Sequence, residues 1–158
     1  MRVGPWVSYP RNGAIDADPY SKAVIARSGE IPLDLGEGLA FTATRDGAGQ
    51  PLLGSCSYRI VGRLPPTRLW TLTLHGMDGS LIPNAAGRFG FTSGEVVRDA
   101  EGVVAVAVGR DAAAGNWLPV GAPGRFQLAL RLYDTPVSGT ASALDPALLP
   151  RIEREGCR

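Results

Sequence analysis

One histidine, one lysine and two cysteines stand among 158 residues, and aromatic side chains make up only 7% of the chain. Each scarcity removes a class of chemistry. His75 alone cannot build a His-x-His pair, and Cys56 and Cys157 are too few for a zinc site of their own. Oxygen-rich calcium loops with a closing Glu are also missing, so no metal and no cofactor is expected. Lys22 is the single lysine and the formal charge is +1, so no clustered basic field is available to capture nucleic acid or an anionic membrane surface. No apolar run approaches the roughly 20 residues that span a bilayer. The opening Met1-Arg2-Val3-Gly4-Pro5-Trp6 has no signal-peptide core. Met1 directly before a Trp-containing loop suits a leader or N-terminal anchor removed upstream. Gly-x-Ser-x-Gly elbows and phosphate-binding loops are absent too.

What is present is an ordinary globular composition, 44% apolar, with 21 Gly and 13 Pro scattered along the chain. Scattered turn formers suit many short strands joined by tight turns, in a single domain spanning residues 1–158. Period-two alternation marks the strands. It runs through Leu39, Phe41 and Ala43, then Leu52 to Val61 after an Asp46-Gly47 turn. It returns at Trp70, Leu72 and Leu74 before Asp78-Gly79, at Val104, Val106 and Val108, and most clearly at Phe126, Leu128, Leu130 and Leu132. The small Ala105 and Ala107 suggest that their strand is central and covered on both sides. Helix signals are few. Asp18-Pro19 opens about two turns through Arg27, closing near Gly29, and Asp145-Pro146 opens another through Leu148, Leu149 and Ile152 to Gly156. Thr135 to Ala143 reads as a surface crossing. The fold class is therefore mainly β: an antiparallel β-sandwich, jelly-roll-like, with two or three short helices.

Candidate chemistry is thin. His75 falls at a strand end beside a turn, sharing a face with Thr71 and Thr73, which places it half in solvent. Asp78, Asp99, Asp111 and Asp134 sit at turns, where Asp is favoured for local hydrogen bonds. The remaining polar and aromatic set is Asn84, Arg88, Asn116, Trp117, Arg131 and Tyr133. Trp117 can stack on a sugar or apolar ligand while Asn116 supplies directional hydrogen bonds. The structural alternative has Asn116 capping a turn and Trp117 closing one end of the core.

These residues also carry a family resemblance. The run Arg68-Leu69-Trp70-Thr71-Leu72-Thr73-Leu74, then Asp78-Gly79-Ser80-Leu81-Ile82-Pro83-Asn84 and Arg88, resembles the bacterial domain-of-unknown-function 1214 family. So do Asn116-Trp117-Leu118-Pro119, Phe126 to Tyr133, and upstream Gly4-Pro5-Trp6 and Asp18-Pro19-Tyr20. The resemblance implies a jelly-roll-like β domain. Longer relatives carry a second domain, numbered 1254, ahead of it; this chain is similar to stand-alone members, which often have an N-terminal membrane anchor. No established activity comes with the family.

The reading is a non-catalytic cell-envelope domain, periplasmic or otherwise in the bacterial envelope. It would bind a small sugar-like or lipid-like ligand, or a protein partner, near Asn116 and Trp117, with no nucleic acid. The alternative is a hydrolase-type enzyme using acids or Arg131 in a sandwich groove. A disulfide between Cys56 and Cys157 is expected, because a free cysteine so near a terminus would be open to oxidation and a bridge would staple the tail.

Overall fold

A computed structural model describes residues 1–28, 31–137 and 144–158. Among the described residues ten strands form two sheets. The strands are β1 (Arg2–Val3), β2 (Trp6–Val7), β3 (Gly38–Ala43), β4 (Cys56–Gly62) and β5 (Leu69–Gly76). They continue with β6 (Gly90–Thr92), β7 (Val104–Gly109), β8 (Asn116–Pro119), β9 (Phe126–Tyr133) and β10 (Arg151–Cys157). The six-stranded sheet has the order β1-β2-β3-β9-β5-β6 and the four-stranded sheet the order β10-β4-β7-β8. The mainly β, sandwich-like expectation holds.

Alternation drives this arrangement. β9 is paired on both sides, with β3 and β5, and sends Phe126, Leu128, Leu130 and Leu132 inward. Trp70, Leu72 and Leu74 of β5 do the same. From the other sheet Tyr58, Ile60, Val106, Val108 and Leu118 join the same buried cluster. Burying each such side chain contributes about 1.5–3 kcal/mol relative to exposure. The N-terminal hairpin turns at Gly4, whose φ of 57° together with the fixed φ of Pro5 suits a mirror-image turn. That turn delivers Trp6 fully into the core, where its Nε1 donates to the Pro150 carbonyl at 2.8 Å.

The first helix forms as expected, while several other expectations need correction. The helix α1 spans Pro19–Ser28, capped by Asp18, whose Oδ1 accepts from the Tyr20 and Ser21 amides at 3.0 Å. Gly29, where it was expected to close, lies outside the described residues. The second helix is not a helix. A short 3-10 turn at Pro146–Leu148 gives way, after Pro150, to strand β10. Pro150 has no N–H to continue a helix, and the backbone groups of 151–157 pair instead with β4. The strand expected over Leu52 to Val61 begins only at Cys56. The Asp46-Gly47 turn forms as expected, with Arg45 and Pro51 bridged across it, and the chain then passes from one sheet to the other. β7 is central in its sheet, yet Ala105 and Ala107 are only half-buried, so its second face is not covered. Thr135 is buried and donates to the Pro66 carbonyl at 2.7 Å, so the crossing does not begin at the surface. Residues 138–143 of that crossing lie outside the described residues. β8 runs parallel to β7, against the antiparallel rule elsewhere; a four-residue strand needs only a short return, which 110–115 supply.

Cys56 and Cys157 form the expected disulfide, with Cα atoms 3.9 Å apart as a cross-strand pair of β4 and β10. Beside it lies a feature the sequence did not announce. Asp46 is buried, and its carboxylate accepts from the Ala48 and Gln50 amides and from Arg154 Nε at 2.9 Å. Arg154 also donates to the Pro51 carbonyl at 2.6 Å and lies over the Tyr58 ring. Removing one partner of a buried ion pair costs about 3–5 kcal/mol, because the other charge stays buried alone. Arg154→Leu should therefore lower the unfolding free energy by about 3 kcal/mol in urea titrations. The bridge, with a sequence separation of 101, should add about 2–5 kcal/mol. The same titration with and without reductant checks this, and thiol counting on unfolded, unreduced protein should find none free.

Candidate functional site

The predicted polar and aromatic residues divide among four places. Trp117 and Asn84 come together; Arg131 and Tyr133 do not join them. On β9 these two alternate with inward Leu130 and Leu132 and so belong to the outer face of the six-stranded sheet. Arg88 is turned toward the edge of that sheet, its guanidinium 4.7 Å from the Phe91 ring centre.

Asn116 is buried on β8 and spends its amide on structure. Its Oδ1 accepts from the Val97 amide at 2.8 Å, and its Nδ2 donates to the carbonyls of Val97 and Ala105 at 2.8 and 2.9 Å. The side chain copies a backbone partner and pins the loop between β6 and β7 to the sheet. This is a stronger version of the capping role.

Trp117, the next residue, faces outward and is half-buried, whereas Trp6 and Trp70 are buried. Its Nε1 donates to the Gly109 carbonyl at 3.1 Å, which fixes the ring. The ring lines an open cleft of about 450 Å³ together with Asn84, Arg110, Pro83 and Pro119. The prolines give walls of fixed φ. Gly121 completes the cleft because a Cβ there would collide with the Pro83 carbonyl oxygen. Asn84 shapes the opposite side: its Oδ1 accepts from the Arg88 amide at 3.1 Å and its Nδ2 donates to the Arg88 carbonyl at 2.9 Å.

A wider depression of about 700 Å³ surrounds the disulfide, lined by Arg110, Asp111, Glu155 and Arg158 among others. Arg158 pairs there with Asp111 at 2.7 Å, both well exposed. Ion pairs of this kind contribute at most about 1 kcal/mol.

His75 is half-buried on β5. One ring nitrogen, Nε2, lies 2.7 Å from the Thr73 hydroxyl and the other, Nδ1, 3.0 Å from the Gly79 carbonyl. A carbonyl can only accept, so Nδ1 carries a proton, and the ring ties its strand to the following turn. Among the described residues neither nitrogen meets a carboxylate. Among the described residues no group of three or more His, Cys, Asp or Glu could hold a metal ion.

The acids with resolved shifts are all turn or cap residues. The Ser80 hydroxyl and amide hold Asp78 below the usual carboxylate range, and the Ser21 hydroxyl and amide do the same for Asp18. Glu95 is lowered by the Thr92 amide and then its hydroxyl. In each case hydrogen bonds favour the charged form, the opposite of a general acid raised by burial. Asp99 likewise accepts from the Glu101 and Val103 amides.

Two outcomes follow. Asn116→Ala should cost about 2–3 kcal/mol, since it removes the three hydrogen bonds that this buried side chain makes to the Val97 and Ala105 backbone, and urea titration reads it directly. For Asp18, Asp78 and Glu95, NMR titration should find midpoints below those of free carboxylates. A lowered folded pKa means that their contribution is complete above the ordinary range and is lost as pH falls through the lowered values.

Comparisons place this geometry in a family. The fold is similar to the crystal structure of the VPA0106 protein from Vibrio parahaemolyticus, with a TM-score of 0.69 and 21% identity over 92% of this chain. It is also similar to an uncharacterized protein from Burkholderia cenocepacia, with a TM-score of 0.52 and 19% identity over 94% of this chain. The match spans only 37% and 48% of those two proteins, so each is much longer than the region it shares. No curated protein matches the chain. The family model described as "Protein of unknown function (DUF1214)" matches residues 37–137, and the chain belongs to that family.

Proposed function

We propose that this domain is a non-catalytic binding module of the bacterial cell envelope, and that its ligand is a small sugar-like molecule seated on Trp117. The observation that carries the reading is a fixed, half-exposed indole lining a cleft of about 450 Å³ with Asn84 and Arg110. Sugars present apolar C–H faces that stack on aromatic rings and hydroxyls that meet guanidinium donors such as that of Arg110. A ring already locked by its own hydrogen bond loses little freedom on binding. The Cys56–Cys157 bridge supports an oxidising compartment, the periplasm or beyond. A membrane anchor outside this chain, and a jelly-roll-like winding of the strands, belong to the same reading.

The hydrolase reading draws on a different place. Asp111 and Glu155 both line the depression around the disulfide, and paired carboxylates across a groove are the machinery of glycoside hydrolysis. Asp111 is already matched by Arg158, which favours a structural use.

Trp117 is the one tryptophan of the three that is not buried, so a ligand seated on it changes its emission against a constant background from Trp6 and Trp70. Titration with cellobiose and chitobiose should shift the emission saturably, and Trp117→Ala should abolish the shift while leaving the unfolding midpoint nearly unchanged. A shift that survives in the variant, or a variant that fails to fold, contradicts the reading. Prolonged incubation should leave both disaccharides intact; turnover lost in Glu155→Gln would establish the hydrolase instead.

A further inference from the structure

Three arginines converge on a second cleft, formed between the loop joining β4 to β5 and the loop joining β6 to β7. Arg63 follows the end of β4, Arg68 directly precedes β5, and Arg98 sits in the loop between β6 and β7. All three are exposed and line one open cleft of about 350 Å³. Among the described residues no carboxylate lines it. The chain as a whole is almost neutral, so three guanidiniums around one hollow without a lining acid form a local excess.

Two of the nearby acids are engaged elsewhere. Glu95 is held by the Thr92 amide and hydroxyl, and Asp99 by the amides of its own turn. Asp134 reaches Arg68 only at 3.8 Å, with both side chains largely exposed. Glu101 is exposed in the turn beside Gly102.

The cleft is also shaped for close approach. Its floor is the buried Trp70, and the Arg98 guanidinium lies 5.9 Å from that ring's centre while donating to the Ser93 carbonyl at 3.1 Å. Arg98 is therefore positioned before any ligand arrives. Gly94 and Gly102 form part of the wall, and a Cβ at either would meet nothing within 4 Å, so the space above them is open. The loop that carries Arg98 is the one fastened by Asn116.

We infer that this cleft binds a phosphate-bearing ligand through Arg63, Arg68 and Arg98. Like charges gathered at one hollow repel each other, and a multivalent oxyanion relieves that repulsion. Guanidinium is the donor matched to it, since its planar fork gives paired hydrogen bonds to two phosphate oxygens. The ligand could be supplied as a free phosphate or as a lipid headgroup, and the two sources are separable by experiment. The site is independent of the sugar-like ligand proposed for Trp117.

The test uses the folded domain, first with inorganic pyrophosphate followed by NMR. Saturable shifts should appear at the Gly94 and Gly102 amides. Arg63→Ala, Arg68→Ala and Arg98→Ala should each weaken binding about tenfold, and the triple variant should abolish it. Gly94→Glu keeps all three arginines, adds a carboxylate to the wall and should weaken binding as strongly, so loss of folding in one variant leaves the inference testable. In a second arm, co-sedimentation compares vesicles of phosphatidylglycerol with vesicles of phosphatidylcholine. Pyrophosphate binding without vesicle binding assigns the cleft to a soluble phosphate. Selective binding to phosphatidylglycerol, lost in the triple variant, assigns it to a headgroup. No binding in either arm, or binding unchanged in the triple variant, overturns the inference.

Discussion

The bridge between Cys56 and Cys157 ties the last strand to the first strand of the four-stranded sheet, and much of the molecule hangs from that tie. β10 is an edge strand with one buried apolar side chain, Ile152, and alternation alone would hold it weakly. Three contacts compensate along its length. The disulfide closes one end, the Arg154–Asp46 pair crosses the middle, and Trp6 reaches the Pro150 carbonyl at the other end. The first and last segments of the chain are thereby sewn together around one core.

Both candidate clefts depend on that sheet. Trp117 is a residue of β8, Arg63 leaves the end of β4, and Arg98 rides on a loop that Asn116 of β8 holds in place. One asparagine thus touches the framework of both sites, next to Trp117 on β8 and fastened to the loop of Arg98, its own amide consumed by backbone. Rigid strands placing side chains at the rims of loops is the usual way in which a sheet domain presents a binding surface.

The core was legible in the sequence because burial on one face imposes a period of two, and β5, β7 and β9 carry it without interruption. The disulfide was legible from the penultimate position of Cys157. The C-terminal strand was not: Asp145-Pro146 carries a strong helix-opening signal, and Arg151 to Cys157 holds too few apolar residues to show any period. Its strand character comes from pairing with β4, a tertiary effect that local propensity cannot register. The Asp46–Arg154 pair was hidden for a similar reason, since the two residues are 108 positions apart and Asp46 doubles as a turn former. Of the predicted site residues, Trp117 and Asn84 share a cleft, but which distant residues would meet them depended on how the sheets fold over. The arginine cleft joins two separate loops, the one from Arg63 to Arg68 and the one that carries Arg98, and nothing in the local sequence of either marks it.

Native-state hydrogen exchange on the oxidised and reduced protein addresses the dependence on the β4–β10 staple most directly. In the oxidised protein the paired amides of β10 should exchange only through global unfolding, with protection equal to that of β9. Reduction should lower protection in β10 and β4 first, leaving β9 and β5 as the last to open. Equal protection of β10 in both redox states, or fraying of β10 in the oxidised protein, would contradict the claim that this covalent tie holds the second sheet together.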